Sequence, residues 1–430
     1  LKRTVIRNET YGLLVFNPNE ASYYRVYDEE IKQIILNCII KNDFTDLKAK
    51  NIEVYEKLNI NSPIYIDNLE LGKNAFIPLE AYFDYTSKCN GSCPYCYNKK
   101  FLGNITMAPE MVRKILSDFA ELGIMRIHLA GGEPTINYDG LKNYIDTCNK
   151  KNLILSMATN GSLLNDEICD LLMSNDLLSV SISIDSAIKE KNDATRGKDS
   201  YIKIMMGLKK LLKYKEKNNS KTEICFKPVY YPNITKEEIE TFICLSKELG
   251  IQKLKFANPE RCLEHKAGYY GKIKEQYYQT AKTIQEFIEK NDCNLQITNI
   301  SNPILYNFII GIEENKGCIG AQELLTINPD GRITPCLMNH HLLGNIYEYK
   351  SVKEFLANSN RLKEYIAMIE NNDCNCTIQE SCRGGCQVRK IVEYGKIYSH
   401  DPLCPKEELT RTKTKIKKEI IRKVNVYHSL

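Results

Sequence analysis

No apolar run in these 430 residues approaches the ~18 needed to cross a bilayer as a helix, so no membrane partner is expected. The opening residues, Leu1-Lys2-Arg3-Thr4, lack the apolar core of a secretion signal. Charge of one sign is scarce: 59 lysines and arginines stand against 54 aspartates and glutamates, too small an excess to argue for nucleic acid. Repeats and low-complexity tracts are missing. Cysteine, in contrast, is abundant. There are 17, an odd number, and several are clustered. Without an export signal, that pattern points to reduced, metal-binding thiolates in a cytoplasmic protein rather than to disulfides. The length suggests two or three domains and is ample to bury a core.

The densest cluster is Cys89-Asn90-Gly91-Ser92-Cys93-Pro94-Tyr95-Cys96, followed by Tyr97. Thiolates hold iron–sulfur cubanes, normally four to a cluster. Three closely spaced thiolates leave one iron open for a ligand, as a catalytic zinc site keeps an open position. A partial zinc knuckle or three incidental thiols are the alternatives.

From about residue 80 to 300 the chain alternates strand and helix. Strand-like runs fall at Tyr82–Tyr85, Arg126–Leu129, Leu153–Ala158, Leu178–Ile184, Glu223–Val229 and Lys253–Phe256. Pro109 suits a first helical turn and Gly123 a helix end. Thr235 and Glu238 suit a capping box, with Gly250 closing that helix. Six βα repeats predict a parallel sheet with right-handed crossovers, its chemistry on the loops after the strands. The cluster loop follows the first strand. Ala130-Gly131-Gly132-Glu133-Pro134-Thr135 follows the second; paired glycines admit a close ligand and the carboxylate can accept from an ammonium group, although the same residues also make an ordinary turn. Thr159-Asn160-Gly161 follows the third. The fourth carries Ser181-Ile182-Ser183-Ile184-Asp185, and Arg196 comes thirteen residues after Ser183. An arginine fork suits a carboxylate, and equally suits a surface ion pair.

The Cys-x3-Cys-x2-Cys loop, with an aromatic before its last cysteine and the Gly-Gly-Glu-Pro loop one βα unit later, resembles the signature of the radical S-adenosylmethionine (SAM) enzymes. The resemblance covers about 320 residues, from the first barrel strand to Cys404. It implies an α/β fold built on a partial (β/α)6 radical SAM barrel. It also implies a [4Fe-4S] cluster on Cys89, Cys93 and Cys96 that binds and reductively cleaves SAM to a 5′-deoxyadenosyl radical. By the same resemblance Gly131, Gly132, Glu133 and Pro134 hold the SAM amino group, and Ser183 and Arg196 its carboxylate. Tyr95 packs by the adenine or serves as a core aromatic, and Asn160 contacts the ribose or forms a turn.

Beyond about residue 310 come Cys318, Cys336, Cys374, Cys376, Cys382, Cys386 and Cys404, with little core-like sequence between them and a hairpin turn at Asn328-Pro329-Asp330-Gly331. Metal-held folding is expected. Four-cysteine zinc sites fold similar segments, but the whole spacing resembles the SPASM domain with its two auxiliary clusters. That implies an outer cluster on Cys374, Cys376, Cys382 and Cys404, and an inner one on Cys318, Cys336 and Cys386. Only Asn375 separates Cys374 from Cys376, where the family usually has two residues. No cysteine lies shortly before Cys318; Cys262 and Cys293 are the more distant candidates for a fourth inner ligand.

Before the cluster loop, Tyr11–Phe16 and Ser22–Tyr27 read as a strand hairpin across Asn17-Pro18-Asn19-Glu20. Asp28 caps a helix with Ile31, Ile34, Ile35 and Ile39 on one face. This winged-helix-like unit resembles precursor-recognition domains, where a leader peptide adds a strand to the hairpin edge; packing against the barrel is the alternative. The expected division is therefore a recognition unit at 1–78, the barrel at 79–305, a SPASM domain at 306–408 and a basic C-terminal helix at 409–430. The resemblance implies a maturase of a ribosomal precursor peptide, served by an electron donor such as flavodoxin or ferredoxin. With no fourth inner cysteine nearby, thioether cross-linking is the expected chemistry. Carbon–carbon cross-linking, sulfatase-maturase-like protein modification and small-molecule chemistry are the alternatives. No catalytic acid or base can be assigned.

Overall fold

The computed structural model describes residues 3–9, 12–60, 62–68, 77–229, 234–251, 253–257, 267–290, 296–299, 317–370, 382–397, 400–404 and 421–424. Val5–Glu9 (β1), Gly12–Asn17 (β2) and Ser22–Val26 (β3) form an antiparallel meander, and Ile64–Asp67 (β4) pairs in parallel with β1. Side chains alternate across a strand, and here both faces are covered. Ile6, Leu13, Val15, Tyr24 and Val26 pack on Glu29–Lys41 (α1), Thr45–Lys50 (α2) and Ile52–Leu58 (α3). Val5, Leu14, Phe16 and Tyr23 join the core of the barrel. Asp28 caps α1 by accepting from the Ile31 amide at 2.9 Å. The apolar face of α1 is Ile31, Ile35 and Cys38, with Ile34 and Ile39 at its margins. Strands β1 and β4 extend the expected hairpin.

The larger sheet begins with Glu80–Phe83 (β5), Arg126–Leu129 (β6), Ile154–Thr159 (β7), Ser179–Ile182 (β8), Glu223–Phe226 (β9), Lys253–Phe256 (β10) and Gln296–Asn299 (β11), all parallel and in chain order. Between them run Pro109–Leu122 (α4), Tyr138–Lys150 (α5), Asp166–Met173 (α6), Lys189–Arg196 (α7), Ser200–Lys217 (α8), Lys236–Glu248 (α9) and Tyr269–Lys290 (α10). This is the expected partial barrel, with β11 as a seventh parallel strand. Pro109 opens α4, Gly123 ends it with φ +72°, and Thr235 and Glu238 form the capping box of α9. Burial of the barrel-facing aliphatics drives closure, at about 1.5–3 kcal/mol for each fully buried Ile, Leu, Val or Phe.

Leu324–Ile327 (β12) adds to the free edge of β5 in parallel, and Arg332–Thr334 (β13) and Gly344–Asn345 (β14) continue the sheet antiparallel. The turn between β12 and β13 is Asn328-Pro329-Asp330-Gly331, as its residues predict. The segment after it corrects an expectation. Val352–Asn358 (α11) and Asn360–Glu370 (α12) bury Val352, Phe355, Leu356, Leu362, Tyr365 and Ile369 in the barrel core, so apolar packing and not thiols alone orders this region. Gln387–Tyr394 (α13) follows.

Within the stretch 409–430, expected to be a helix, only residues 421–424 are described, and there the expectation is corrected. Ile421–Val424 (β15) is a strand, antiparallel to β3 with Ile421 opposite Val26 and Val424 opposite Tyr23. Lys413–Lys418 lie outside the described residues, as do Cys262, Cys293, Cys374 and Cys376. No helix among the described residues is long and apolar enough to cross a membrane.

Candidate functional site

The loops after β5 to β9 surround one cavity of about 610 Å³. Its wall includes Cys89, Cys93 and Cys96 on one side of the sequence and Cys318, Cys336 and Cys386 on the other. Cys382 and Cys404 do not line it, which separates them from the inner three.

The cluster loop is tied down at its base. Thr86 bridges to Thr106, Ser87 N donates to Ile105 O at 2.9 Å, and Met107 N donates to Tyr85 O at 2.8 Å. All three thiols are partly exposed to the cavity. Burial pushes the Cys96 thiol up to about 11 and raises Cys89 as well, so these thiols stay protonated at neutral pH until a bound cation displaces the protons. No three His, Cys, Asp or Glu side chains among the described residues converge on a single-ion site. A cubane takes each thiolate at a different iron and does not need them to converge.

The Gly-Gly-Glu loop reaches into the same space. A Cβ on Gly132 would lie 2.1 Å from the carbonyl oxygen of Lys88, the residue before Cys89. Gly131 has φ +71°, and its Cβ would lie 2.9 Å from Thr86 O. Glu133 N donates to Lys88 O at 2.7 Å, which joins this loop to the cluster loop. The Glu133 side chain is 1% exposed. Its Oε1 accepts from Thr135 N (3.1 Å), Thr135 Oγ1 (2.5 Å) and Thr159 Oγ1 (2.6 Å), and its Oε2 from Asn160 N (2.7 Å). Burial raises its pKa and these donors pull it back. Glu133 thus fastens the β6 loop to the β7 loop as well as facing the cavity. Pro134 does not line the cavity; its carbonyl accepts from Tyr85 Oη at 2.6 Å. Asn160 turns its Nδ2 to Asn90 Oδ1 at 2.8 Å, a second link to the cluster loop.

Ser183 and Arg196 both line the cavity. Arg196 pairs with Asp185 at 2.8 Å, and both side chains are buried, so the pair is internal and not a surface ion pair. Arg196 Nε is buried and has no partner among the described residues, which leaves a donor for a carboxylate. Tyr95 also bonds Asp185 and presents its ring to the guanidinium with Cζ 5.7 Å from its centroid.

Three residues in and around this site escaped the sequence. Asp185 stood in the quoted strand motif without a role. It is the hub on which Tyr95, Arg196, Thr195 Oγ1 (2.8 Å) and Val229 N (3.1 Å) converge. Lys227 lies just beyond β9 and lines the cavity. Burial, with Lys255 and Arg196 nearby, lowers its pKa to about 8. Its place just after a barrel strand was the available signal. Asp84, beyond β5, accepts from Ala130 N at 2.8 Å, and burial pushes its carboxyl up to about 7.

In the cysteine-rich segment Asp401 does the positioning. It accepts from Cys386 N (2.8 Å) and Leu403 N (3.0 Å), and from Arg389 Nε (2.9 Å) and Nη2 (2.5 Å). It therefore couples the turn before Cys386 to the residue before Cys404. Burial pushes the Cys336 thiol up to about 12.

Family models match at two places. The radical SAM superfamily model covers residues 84–244, and an iron–sulfur cluster-binding domain model covers 318–387. The PqqA peptide cyclase of Bradyrhizobium diazoefficiens is 24% identical over 349 residues, covering 78% of this chain and 88% of its own. The mycofactocin maturase MftC of Mycolicibacterium smegmatis is 22% identical over 351 residues, covering 80% and 86%. Among solved structures, Streptococcus suis SuiB bound to precursor peptide SuiA superposes with a TM-score of 0.72 at 18% identity, over 94% of this chain and 99% of SuiB. That likeness is one of fold.

Proposed function

The chain belongs to the radical SAM superfamily of enzymes and carries a SPASM domain after its barrel, and on that premise we propose that it modifies a ribosomally made peptide by thioether cross-linking. The observation that carries this reading is the single cavity lined by both Cys89, Cys93 and Cys96 and Cys318, Cys336 and Cys386. Substrate in that cavity sits between two sets of thiols. When bound, a [4Fe-4S] cluster on the first set and SAM supply a carbon radical that abstracts hydrogen from substrate.

The chain's own residues orient these groups. Glu133, Gly131 and Gly132 face the SAM amino group, with Pro134 shaping the loop. Arg196 Nε and Ser183 take its carboxylate, Tyr95 the adenine, and Asn160 the ribose. Two auxiliary clusters complete a set of three: an inner one on Cys318, Cys336 and Cys386, and an outer one on Cys374, Cys376, Cys382 and Cys404. Flavodoxin or ferredoxin supplies the electron, and the work is cytoplasmic. The inner set has only three thiols close in sequence, and a soft thiolate of the peptide suits the remaining iron. Its sulfur is then held near the reacting carbon, which favours a sulfur-to-carbon bond.

That relatives are a peptide cyclase and a maturase, and that a protein of the same fold was solved with a precursor peptide, supports a peptide as substrate. The test is anaerobic incubation with SAM, reductant and a precursor peptide encoded beside the enzyme. The expected product has lost a hydrogen pair and one alkylatable thiol. A product that loses the hydrogen pair but keeps every thiol would be carbon–carbon linked and would overturn the thioether reading.

The N-terminal sheet is proposed to capture the leader by strand addition at β3. That edge already takes Ile421–Val424 as a neighbouring strand, so it accepts addition and a leader competes with the chain's own segment there. Removing residues 1–78 is expected to weaken precursor binding at least ~10-fold, about 1.4 kcal/mol, while SAM cleavage without peptide persists. Tyr23 Oη donates to Leu79 O at 2.6 Å and accepts from Met125 N at 2.9 Å, so circular dichroism must first show that the truncated barrel is folded. Anisotropy of a labelled precursor measures the affinity; an unchanged value would return the segment to packing.

A further inference from the structure

Lys390, on α13, is fully buried, at 0% exposure. Its Nζ has no hydrogen-bond partner among the described residues. A buried amine without a partner keeps its charge only where an anion lies beside it. The neighbouring carboxylate is no such partner. Asp401 is within electrostatic reach of Lys390, but its oxygens are already taken by Arg389, Cys386 N and Leu403 N. The other groups within reach are Cys318, Cys382 and Cys386. Two of these belong to the inner set that lines the cavity, and the third to the outer set.

An iron–sulfur cluster ligated by thiolates is anionic, and hydrogen bonds to its sulfurs tune its potential. We propose that Lys390 donates its ammonium N–H to a sulfur of the auxiliary cluster held by Cys318, Cys336 and Cys386, and so raises that cluster's reduction potential. The inference rests on the auxiliary-cluster reading above. A buried positive charge stabilises the more negative, reduced cluster. Lys390 thus makes the inner cluster a better acceptor for the electron released as the cross-link closes. It is a positioning residue: it does not reach the cavity and acts on substrate only through the cluster.

The experiment is a redox titration of the reconstituted full chain, followed by electron paramagnetic resonance, for wild type, Lys390→Met and Lys390→Arg. Iron and sulfide are counted in each. Lys390→Met with full iron and sulfide should move one cluster signal to a more negative potential, and Lys390→Arg should return it toward the wild-type position. Unmoved signals at full iron content overturn the inference. Should Lys390→Met lose the cluster, wild-type protein labelled with nitrogen-15 lysine decides. A weak nitrogen coupling on the reduced auxiliary cluster is expected, and its absence overturns the inference. A wild-type protein with iron for the barrel cluster alone would remove the auxiliary-cluster reading itself, and the inference with it.

Discussion

Replacing Cys93 with alanine is expected to abolish reductive SAM cleavage while leaving the auxiliary iron in place. Cys93 is the middle thiol of the loop, and with Cys89 and Cys96 it lines the cavity beside the Gly-Gly-Glu loop. Two thiolates hold a cubane poorly, so its loss removes the cluster and not just one bond. The side chain carries little of the fold. It is partly exposed, and the loop base at Thr86, Ser87 and Met107 is fastened by backbone contacts that the substitution leaves alone. Iron and sulfide counts should fall by one cluster's worth. Deoxyadenosine should fall to background under dithionite. Full cleavage by the purified variant would sink the assignment of this loop.

Gly132→Ala should be nearly as severe, although it removes no ligand. The added methyl would stand 2.1 Å from Lys88 O and 2.7 Å from Lys88 C, both backbone atoms that cannot swing aside. Relief requires the two loops to part. Parting them breaks the Glu133 N to Lys88 O bond and moves Cys89 relative to Glu133. Displacements of about 1 Å in a positioned site cost roughly 100-fold in rate. The expected result is a fall of that order in deoxyadenosine formation, with thermal stability changed far less than activity. Iron analysis separates loss of the cluster from loss of SAM alignment. A variant with wild-type activity would show that the two loops are not coupled as described.

The barrel and its first two loops were legible because their signals are local. Cys89, Cys93 and Cys96 sit within one loop, Gly131 to Pro134 are consecutive, and caps such as Thr235 with Glu238 are set by spacing within one turn. What was not legible depends on partners far away in sequence. Arg196 as read from sequence was divided between a ligand and a surface pair. Burial with Asp185 removes the surface pair, and the partner that buries it lies eleven residues away, beyond the end of β8. Asp401 and Lys390 carry no local signal, because the groups around them include Cys386 and Cys318, distant in sequence from one or both. Strand β15 was hidden because Arg422 and Lys423 give no alternating apolar pattern; its pairing is with the backbone of β3. The apolar positions of α11 and α12 lie among cysteines whose density signals metal-held folding, and this masks their packing role.

Wild-type protein, reconstituted anaerobically with iron and sulfide and incubated with SAM and dithionite, gives the most direct test of a radical SAM site at Cys89, Cys93 and Cys96. The expected result is 5′-deoxyadenosine that accumulates only when both SAM and reductant are present. A protein that carries its full iron, binds SAM and returns it uncleaved would contradict that site.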